Sequence, residues 1–226
     1  MKKIVVLTGA GISAESGLKT FRDDNGLWEG HDVMAVASIE GWYANQELVL
    51  DFYNQRRRQL KTVQPNDAHK ALVELENQYE VTIVTQNVDD LHERAGSSNV
   101  IHLHGELLKA RSSKDENLVM DWQDDICVGD QCKYKSQIRP HIVWFGEAVP
   151  LLEKAAFYTS QADFVLIIGT SMQVYPAAGL IDYAKDDAHI YFIDPKPSIS
   201  SGPNLTVLSE KATTGVPTVV ANLMNN

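Results

Sequence analysis

Cysteine is nearly missing from this chain: 226 residues carry two, Cys127 and Cys132. Two thiols cannot build a disulfide framework, so a reducing compartment is expected. Long apolar runs are missing as well. Nothing approaches the about eighteen residues that a membrane-spanning helix needs. The apolar start after Lys2-Lys3 stops at Thr8-Gly9, too short for the hydrophobic segment of a secretory signal. Positive charge is scarce, with 20 Lys and Arg against 30 Asp and Glu and a formal net charge of −10. That balance disfavours nonspecific nucleic-acid binding, which needs cations to neutralise phosphates. The one basic run, Arg56-Arg57-Arg58, lies in a helix-period stretch, where a solvated face accounts for two of the three by default. Repeats and low-complexity tracts are absent. Together these gaps predict a soluble, intracellular, cytoplasmic protein with no membrane or nucleic-acid partner. With 44% hydrophobic residues, it has enough apolar mass for a full core.

What is present begins at residues 4–8, a β-branched run that meets Gly9-Ala10-Gly11 and then a helix-compatible stretch. This is how a parallel strand delivers a pyrophosphate to a helix N-terminus. Gly9 permits the turn, Gly11 admits the phosphate, and Ala14 lets helix and strand pack closely. A plain strand, turn and helix is the competing reading. A dehydrogenase would continue to a second strand ending in Asp or Glu. Here the interval reads TFRDDNGLWEG, with Phe21, Arg22, Asp23, Asp24 and Trp28 in a polar loop, which argues against ordinary hydride transfer.

Strand-length apolar runs recur at 81–85, 100–103, 141–145, 164–168 and 190–193. Several are continuous, as for strands covered on both faces. Helix-period stretches at 47–60, 67–78, 151–161, 176–185 and 216–223 alternate with them, and Asp67 suits a helix N-cap. The pattern predicts an α/β fold, a doubly wound parallel (Rossmann-like) sheet, with a smaller domain formed by two insertions. The expected division assigns 1–27, 65–105 and 140–226 to the nucleotide-binding domain. Residues 28–64, read as helical without a strand, and 106–139, read as irregular, form the smaller one.

Polar residues gather at the carboxyl ends of the expected strands, where open α/β sheets bind ligands. Gln86-Asn87-Val88-Asp89 follows 81–85, suited to a carboxamide or ribose hydroxyls, or to capping the next helix. His102 and His104 share a strand face at a metal-usable spacing, but no third ligand is evident. His104, at the strand end, suits a general base or a structural role. Gly169-Thr170-Ser171 follows 164–168, and Asp194 follows 190–193. One such site is ordinary turn chemistry; five at five strand ends imply a common ligand. Cys127 and Cys132 stand as C-x4-C without the partner pair of a zinc site and read as two free thiols.

Taken together, GAGISAESG, TFRDDNGLW, TQNVD, HLHGEL, RPHIVWFGE and GTSMQVYPAAG resemble the sirtuin family of NAD-dependent protein deacylases, most closely its bacterial desuccinylase-like class. The resemblance implies an NAD-dependent protein-lysine deacylase that yields nicotinamide and O-acyl-ADP-ribose. In that chemistry the acyl-lysine oxygen attacks the ribose carbon bearing nicotinamide, and His104 deprotonates a ribose hydroxyl that then attacks the imidate. Asn87 joins His104 as catalytic. Cofactor contacts are implied for Gly9, Ala10, Gly11, Glu15, Phe21, Arg22, Trp28, Gln86, Asn87, Asp89, Gly169, Thr170, Ser171, Asp194 and Ala212. The class carries Tyr-x-x-Arg on a helix, matched by Tyr53 and Arg56, which implies a succinyl- or malonyl-lysine carboxylate as their partner. Val143, Phe145 and Gly146 are implied to offer a strand edge to an extended substrate peptide, and a monomer is expected. Three departures stand out. Lys19 replaces a common proline, Asp194 replaces a frequent asparagine, and the zinc ribbon keeps only Cys127 and Cys132, so no metal is assigned. Mono-ADP-ribosyl transfer on the same scaffold is the alternative activity, and a non-catalytic dinucleotide sensor is the third reading.

Overall fold

In the computed structural model the described residues are 1–19, 27–28 and 30–225, with the backbone alone for 27 and 28. In chain order they form β1 (Lys3–Thr8), β2 (Leu27–Trp28), β3 (His31–Asp32), α1 (Val33–Val36), α2 (Ile39–Ala44), α3 (Gln46–Leu60), α4 (Asp67–Leu75), β4 (Glu80–Thr85), α5 (Leu91–Ala95) and β5 (Val100–His102). There follow β6 (Gly105–Ser112), β7 (Val119–Asp121), β8 (Ile138–Ile142), α6 (Leu152–Thr159), β9 (Phe164–Ile168), β10 (His189–Ile193), β11 (Leu205–Leu208) and α7 (Ala212–Met224).

Six strands make one sheet in the order β11-β10-β9-β1-β4-β5, every pair parallel. β1 lies at its centre because Ile4, Val5, Val6 and Leu7 are apolar on both faces and all are buried. Ile4 and Val6 pack with Leu72 and Leu75 of α4 and with Val216, Val219 and Val220 of α7. Val5 and Leu7 face the other way, onto Ala155, Ala162 and Leu180. A separate cluster joins Trp42, Phe52, Tyr53 and Leu60 to Leu107, Ile138 and Trp144. It lies between α2, α3 and a three-stranded antiparallel sheet, β7-β6-β8.

The α/β class, the parallel sheet and the smaller unit beside it match expectation; several elements differ. After the glycine turn come two short 3-10 turns, Ala10–Ile12 and Ala14–Ser16, instead of an α-helix. Residues 176–185 likewise hold a 3-10 helix, Ala177–Tyr183. The strand expected at 141–145 is β8, which ends at Ile142 and pairs antiparallel with β6, not with the parallel sheet. Residues 106–139, read as irregular, carry most of that antiparallel sheet. Its strands alternate poorly because they are partly buried on both sides. The helical reading of 28–64 holds except for the β2–β3 hairpin. β11 had no strand signal, being half-buried throughout. Asn66, not Asp67, caps α4. Arg57, expected on a solvated face, is 1% exposed, where it donates to the Leu107 carbonyl and to Asn54 Oδ1. Among the described residues no helix is long and apolar enough to cross a membrane.

Candidate active site

Parallel register brings the strand tips together. Thr8 of β1 lies opposite Thr85 of β4 and Ile168 of β9, and Ile168 lies opposite Ile193 of β10. The residues just beyond those four ends therefore share one edge of the sheet. There the first and third turns are stitched by Gly9 N–H to the Ile168 carbonyl at 3.0 Å and Gly11 N–H to the Gly169 carbonyl at 2.8 Å. Side chains would not fit between them. A Cβ on Gly11 would stand 2.5 Å from Gly169 Cα, and Gly169, at φ +60°, would drive one to 2.4 Å from Ile12 N. A bare backbone of this kind suits close approach by a dinucleotide phosphate.

The edge opens into a cavity of about 630 Å³, within the usual range for small-molecule and cofactor sites. It is lined by Gly9, Ala10, Gly11, Glu15, Gln86, Asn87, Asp89, His104, Gly169, Thr170, Ser171, Asp194 and Ala212. Tyr53, Arg56, Val143, Phe145 and Gly146 line it from the side of the antiparallel sheet. The structure thus brings together every described candidate residue. Phe21 and Arg22 lie outside the described residues, as does the side chain of Trp28.

His104 stands just past β5. Its Nδ1 is 3.1 Å from the Gln86 carbonyl, an acceptor only, so Nδ1 carries the proton and Nε2 is left basic. Burial pulls its pKa below the ordinary histidine value, and the Gln86 carbonyl offsets only part of that. The ring is therefore neutral at pH 7. His102 differs although it is two residues away. Its nitrogens meet the Asn87 carbonyl at 3.2 Å and Glu93 Oε1 at 2.7 Å. Burial works against charge there, but the Glu93 carboxylate outweighs it and the pKa is raised. Both ring nitrogens of His102 are thus engaged, whereas His104 keeps Nε2 open.

Asn87 donates from Nδ2 to the Gly9 carbonyl at 3.1 Å and to Ser13 Oγ at 3.3 Å. Ser13 in turn donates to Asp89 Oδ2 at 2.9 Å, and Asp89 Oδ1 accepts the Leu91 N–H. So Asp89 serves the start of α5, as the capping reading had it, while also lining the cavity. Burial lifts the Asp89 carboxyl to about 6, against the pull of the Leu91 and Ser13 hydrogen bonds. Ser13 was not among the candidates; its place two residues after the glycine turn was the available signal. Glu15 accepts from the Thr213 N–H and hydroxyl and pairs with Lys211 at 3.5 Å, tying the first turn to α7. Asp194, buried at the end of β10, accepts the Lys196 N–H at 2.9 Å.

The opposite wall is built from side chains. Glu147 Oε1 and Oε2 each accept from Arg139 at 2.8 Å, Oε1 also accepts from Arg111, and Oε2 accepts the Trp144 N–H. The Arg139 guanidinium lies 3.4 Å from the Trp144 ring centroid, and Trp144 Nε1–H donates to Tyr53 Oη at 2.9 Å. Arg56, one turn along α3, rests 3.4 Å over the Phe52 ring and donates to the Phe52 carbonyl. Residues 143–146 lie beyond the end of β8, with Phe145 in an isolated parallel bridge to Ser38. Val143 N–H donates to the His104 carbonyl and Phe145 N–H to the Ala37 carbonyl, 2.9 Å each, so these two amides already face inward.

Among the described residues no group of three or more His, Cys, Asp or Glu is placed to hold a metal. Cys127 is exposed and Cys132 buried, both free. The Cys132 thiol donates to Ser112 Oγ and lies as near Ser136 Oγ, 3.2 Å each. Those hydroxyls hold it down at about 6. An exposed thiol and one set among serine hydroxyls fall short of the four ligands of a ribbon site.

The sequence profile of the Sir2 family matches residues 9–176. The chain is 63% identical over 213 residues to an NAD-dependent protein deacylase of Helicobacter pylori, covering 94% of this chain and 93% of that one. It is 50% identical to an NAD-dependent protein deacylase of Bacteroides thetaiotaomicron, with 96% and 95% covered. A solved Sir2 homologue in complex with NAD superposes with a TM-score of 0.89 at 37% identity, covering 99% of this chain and 90% of that one. A solved complex of Sir2 with a p53 peptide and NAD+ superposes at 0.81 and 28% identity, with 99% and 94% covered.

Proposed function

The chain belongs to the Sir2 family and is an NAD-dependent protein deacylase, and from that premise we propose that it removes acidic acyl groups, succinyl and malonyl, from protein lysines as well as acetyl. The observation that carries this reading is that Tyr53 and Arg56 line the same cavity as His104 and the glycine turns. A guanidinium and a phenol can hold a carboxylate by two or three hydrogen bonds, an arrangement with no use for a neutral acetyl group. Arg57 and Arg58 do not compete for that role. The first is buried against the Leu107 carbonyl, and the second pairs with Asp125.

NAD, when bound, would supply the nicotinamide–ribose bond that breaks, with nicotinamide as the leaving group and the sugar as acceptor of the acyl group. Gly9, Ala10 and Gly11 with Gly169, Thr170 and Ser171 would hold its phosphates and adjoining sugar, and Asp194 and Ala212 would line the adenosine end. Gln86, Asn87 and Asp89 would orient the nicotinamide end. Because the Asn87 amide nitrogen is already engaged, its Oδ1 is the group left for a sugar hydroxyl. His104 Nε2 would take the proton from such a hydroxyl, a role supported by its fixed tautomer and neutral ring. Val143, Phe145 and Gly146 would guide the substrate chain past the acyl pocket. We also take residues 28–64 and 106–139 to be the smaller domain that carries this pocket, with separate hydrophobic clusters in support.

The test is an assay of acetyl-, succinyl- and malonyl-lysine peptides with and without NAD, on the wild type and on Arg56→Met. Turnover of succinyl-lysine is expected to fall at least about tenfold more than that of acetyl-lysine in the variant, the scale of one charge-assisted pair. Equal losses on both peptides would show that Arg56 is structural. ADP-ribose appearing on a protein acceptor, with no acyl loss, would point to transfer instead.

A further inference from the structure

Two buried ring nitrogens beside the site lack any hydrogen-bond partner: His69 Nε2 and His92 Nδ1. Both residues are fully buried, one on α4 and one on α5. Their rings meet edge to face with centroids 4.9 Å apart. Unpaired polar atoms at that depth are costly and call for a reason.

The tautomers supply one. Thr8 Oγ1 donates to Thr85 Oγ1 at 2.8 Å. The His92 Nε2 that stands 3.1 Å from Thr8 Oγ1 must therefore carry the proton, and His92 Nδ1 is a bare acceptor. On His69, Nδ1 lies 3.4 Å from the Asn66 N–H and 3.1 Å from Asn66 Oδ1. Asn66 Oδ1 already accepts the Ala68 N–H. If His69 Nδ1 accepts from the Asn66 N–H, the start of α4 keeps its capping box, and His69 Nε2–H becomes a donor beside the one bare acceptor near it. The opposite tautomer strands the Asn66 N–H and puts two bare acceptors together. Hydrogen bonds thus run one way from Asn66 to His69 and from His92 to Thr8 and Thr85; between them the two rings meet edge to face, a donor on His69 Nε2 and an acceptor on His92 Nδ1 with no hydrogen bond joining them. At the far end Thr85 Oγ1 also accepts the Asn87 N–H at 3.0 Å.

We propose that His69 and His92 are positioning residues for the NAD reaction, a neutral pair of fixed tautomer that holds the Thr8 and Thr85 hydroxyls and, through them, Asn87 at the cavity. The inference rests on the role proposed above for Asn87. Burial supports the neutral state: it brings His69 to about 4 and His92 well below the ordinary histidine value.

His92→Leu, His92→Gln and Asn87→Ala separate the possibilities, each measured for KM of NAD, KM of acyl peptide and melting temperature. Loss of one buried hydrogen bond to Thr8 is expected to raise the KM for NAD about tenfold in His92→Leu, while the KM for peptide stays near that of wild type. Glutamine carries an N–H where Nε2 stood, so His92→Gln is expected to recover most of the loss. A folded His92→Leu with an unchanged KM for NAD overturns the proposal. Should His92→Leu fail to fold, a long-range ¹H–¹⁵N spectrum of the wild type at neutral pH decides. Protons on Nε2 of both rings are expected, and a proton on His92 Nδ1 or a charge on either ring overturns the proposal. An Asn87→Ala variant that keeps its NAD affinity would defeat the assigned role of Asn87, while the spectrum still reads the pair.

Discussion

The two walls of the cavity are held in different ways. On the nucleotide side the groups hang from the ends of β1, β4, β9 and β10, and the ladder register alone puts them together. Backbone amides and small residues set the glycine turns there, and short polar side chains hold Asn87. On the acyl side, among the described residues, the segment after β8 meets the helical part by a single β-bridge, Phe145 to Ser38. Beyond it Glu147 grips Arg139, Arg111 and the Trp144 amide, and Trp144 reaches Tyr53. The first wall takes its register from the strand ladders, and the second adds buried charge to its main-chain bonds. His104 on the first wall is held through a single hydrogen bond to a carbonyl, whereas Glu147 on the second binds two guanidiniums and an amide and must also hold the fold.

That contrast breaks most visibly at His104. His104→Ala is expected to lower kcat by about 10²–10⁴-fold, the scale of a lost general base, with the melting temperature near that of wild type. Retained turnover would remove His104 from the mechanism, and a collapsed melting curve would show that the nucleotide wall also depends on side chains. Glu147→Ala should do the reverse. It leaves two buried guanidiniums without their carboxylate, a loss of about 3–5 kcal/mol readable by denaturant titration, and its activity loss should follow the unfolded fraction. A fully stable Glu147→Ala would mean that aromatic packing alone holds the acyl wall. The smallest effect is in pH. Asp89, raised to about 6, is ionised above that value and protonated below it. His104, lowered from the ordinary value, also loses its basic form on acidification. kcat/KM for NAD is expected to be level at neutral pH and to fall below about 6 as Asp89 is protonated, and Asp89→Asn should move that limb to the pH at which His104 takes up its proton.

The central strands and the strand-end chemistry were legible because continuous β-branched runs followed by Gly, Asn, Asp or His have few other uses. GAGIS, TQNVD and the His104 strand end all converge as their spacing implied. The antiparallel sheet was not legible. β6 and β8 owe their pairing to each other and carry Arg111, Arg139 and His141 where a periodic apolar signal would be expected. Arg57 shows the same limit, since helical spacing marks a face but not what covers it. The turn after Gly11 also misled: a helix-compatible sequence became two 3-10 turns where the backbone runs against Gly169.

Local pattern was enough to specify the class of fold, the order of the parallel strands' chemistry and the residues at their tips, because those depend on apolar runs and turn residues adjacent in the chain. Which nitrogen of His104 is basic, which arginine of three faces the cavity and how Trp144 meets Tyr53 were settled only by packing. Each depends on a carbonyl, carboxylate or ring contributed from far along the chain, and no short-range preference encodes that partner.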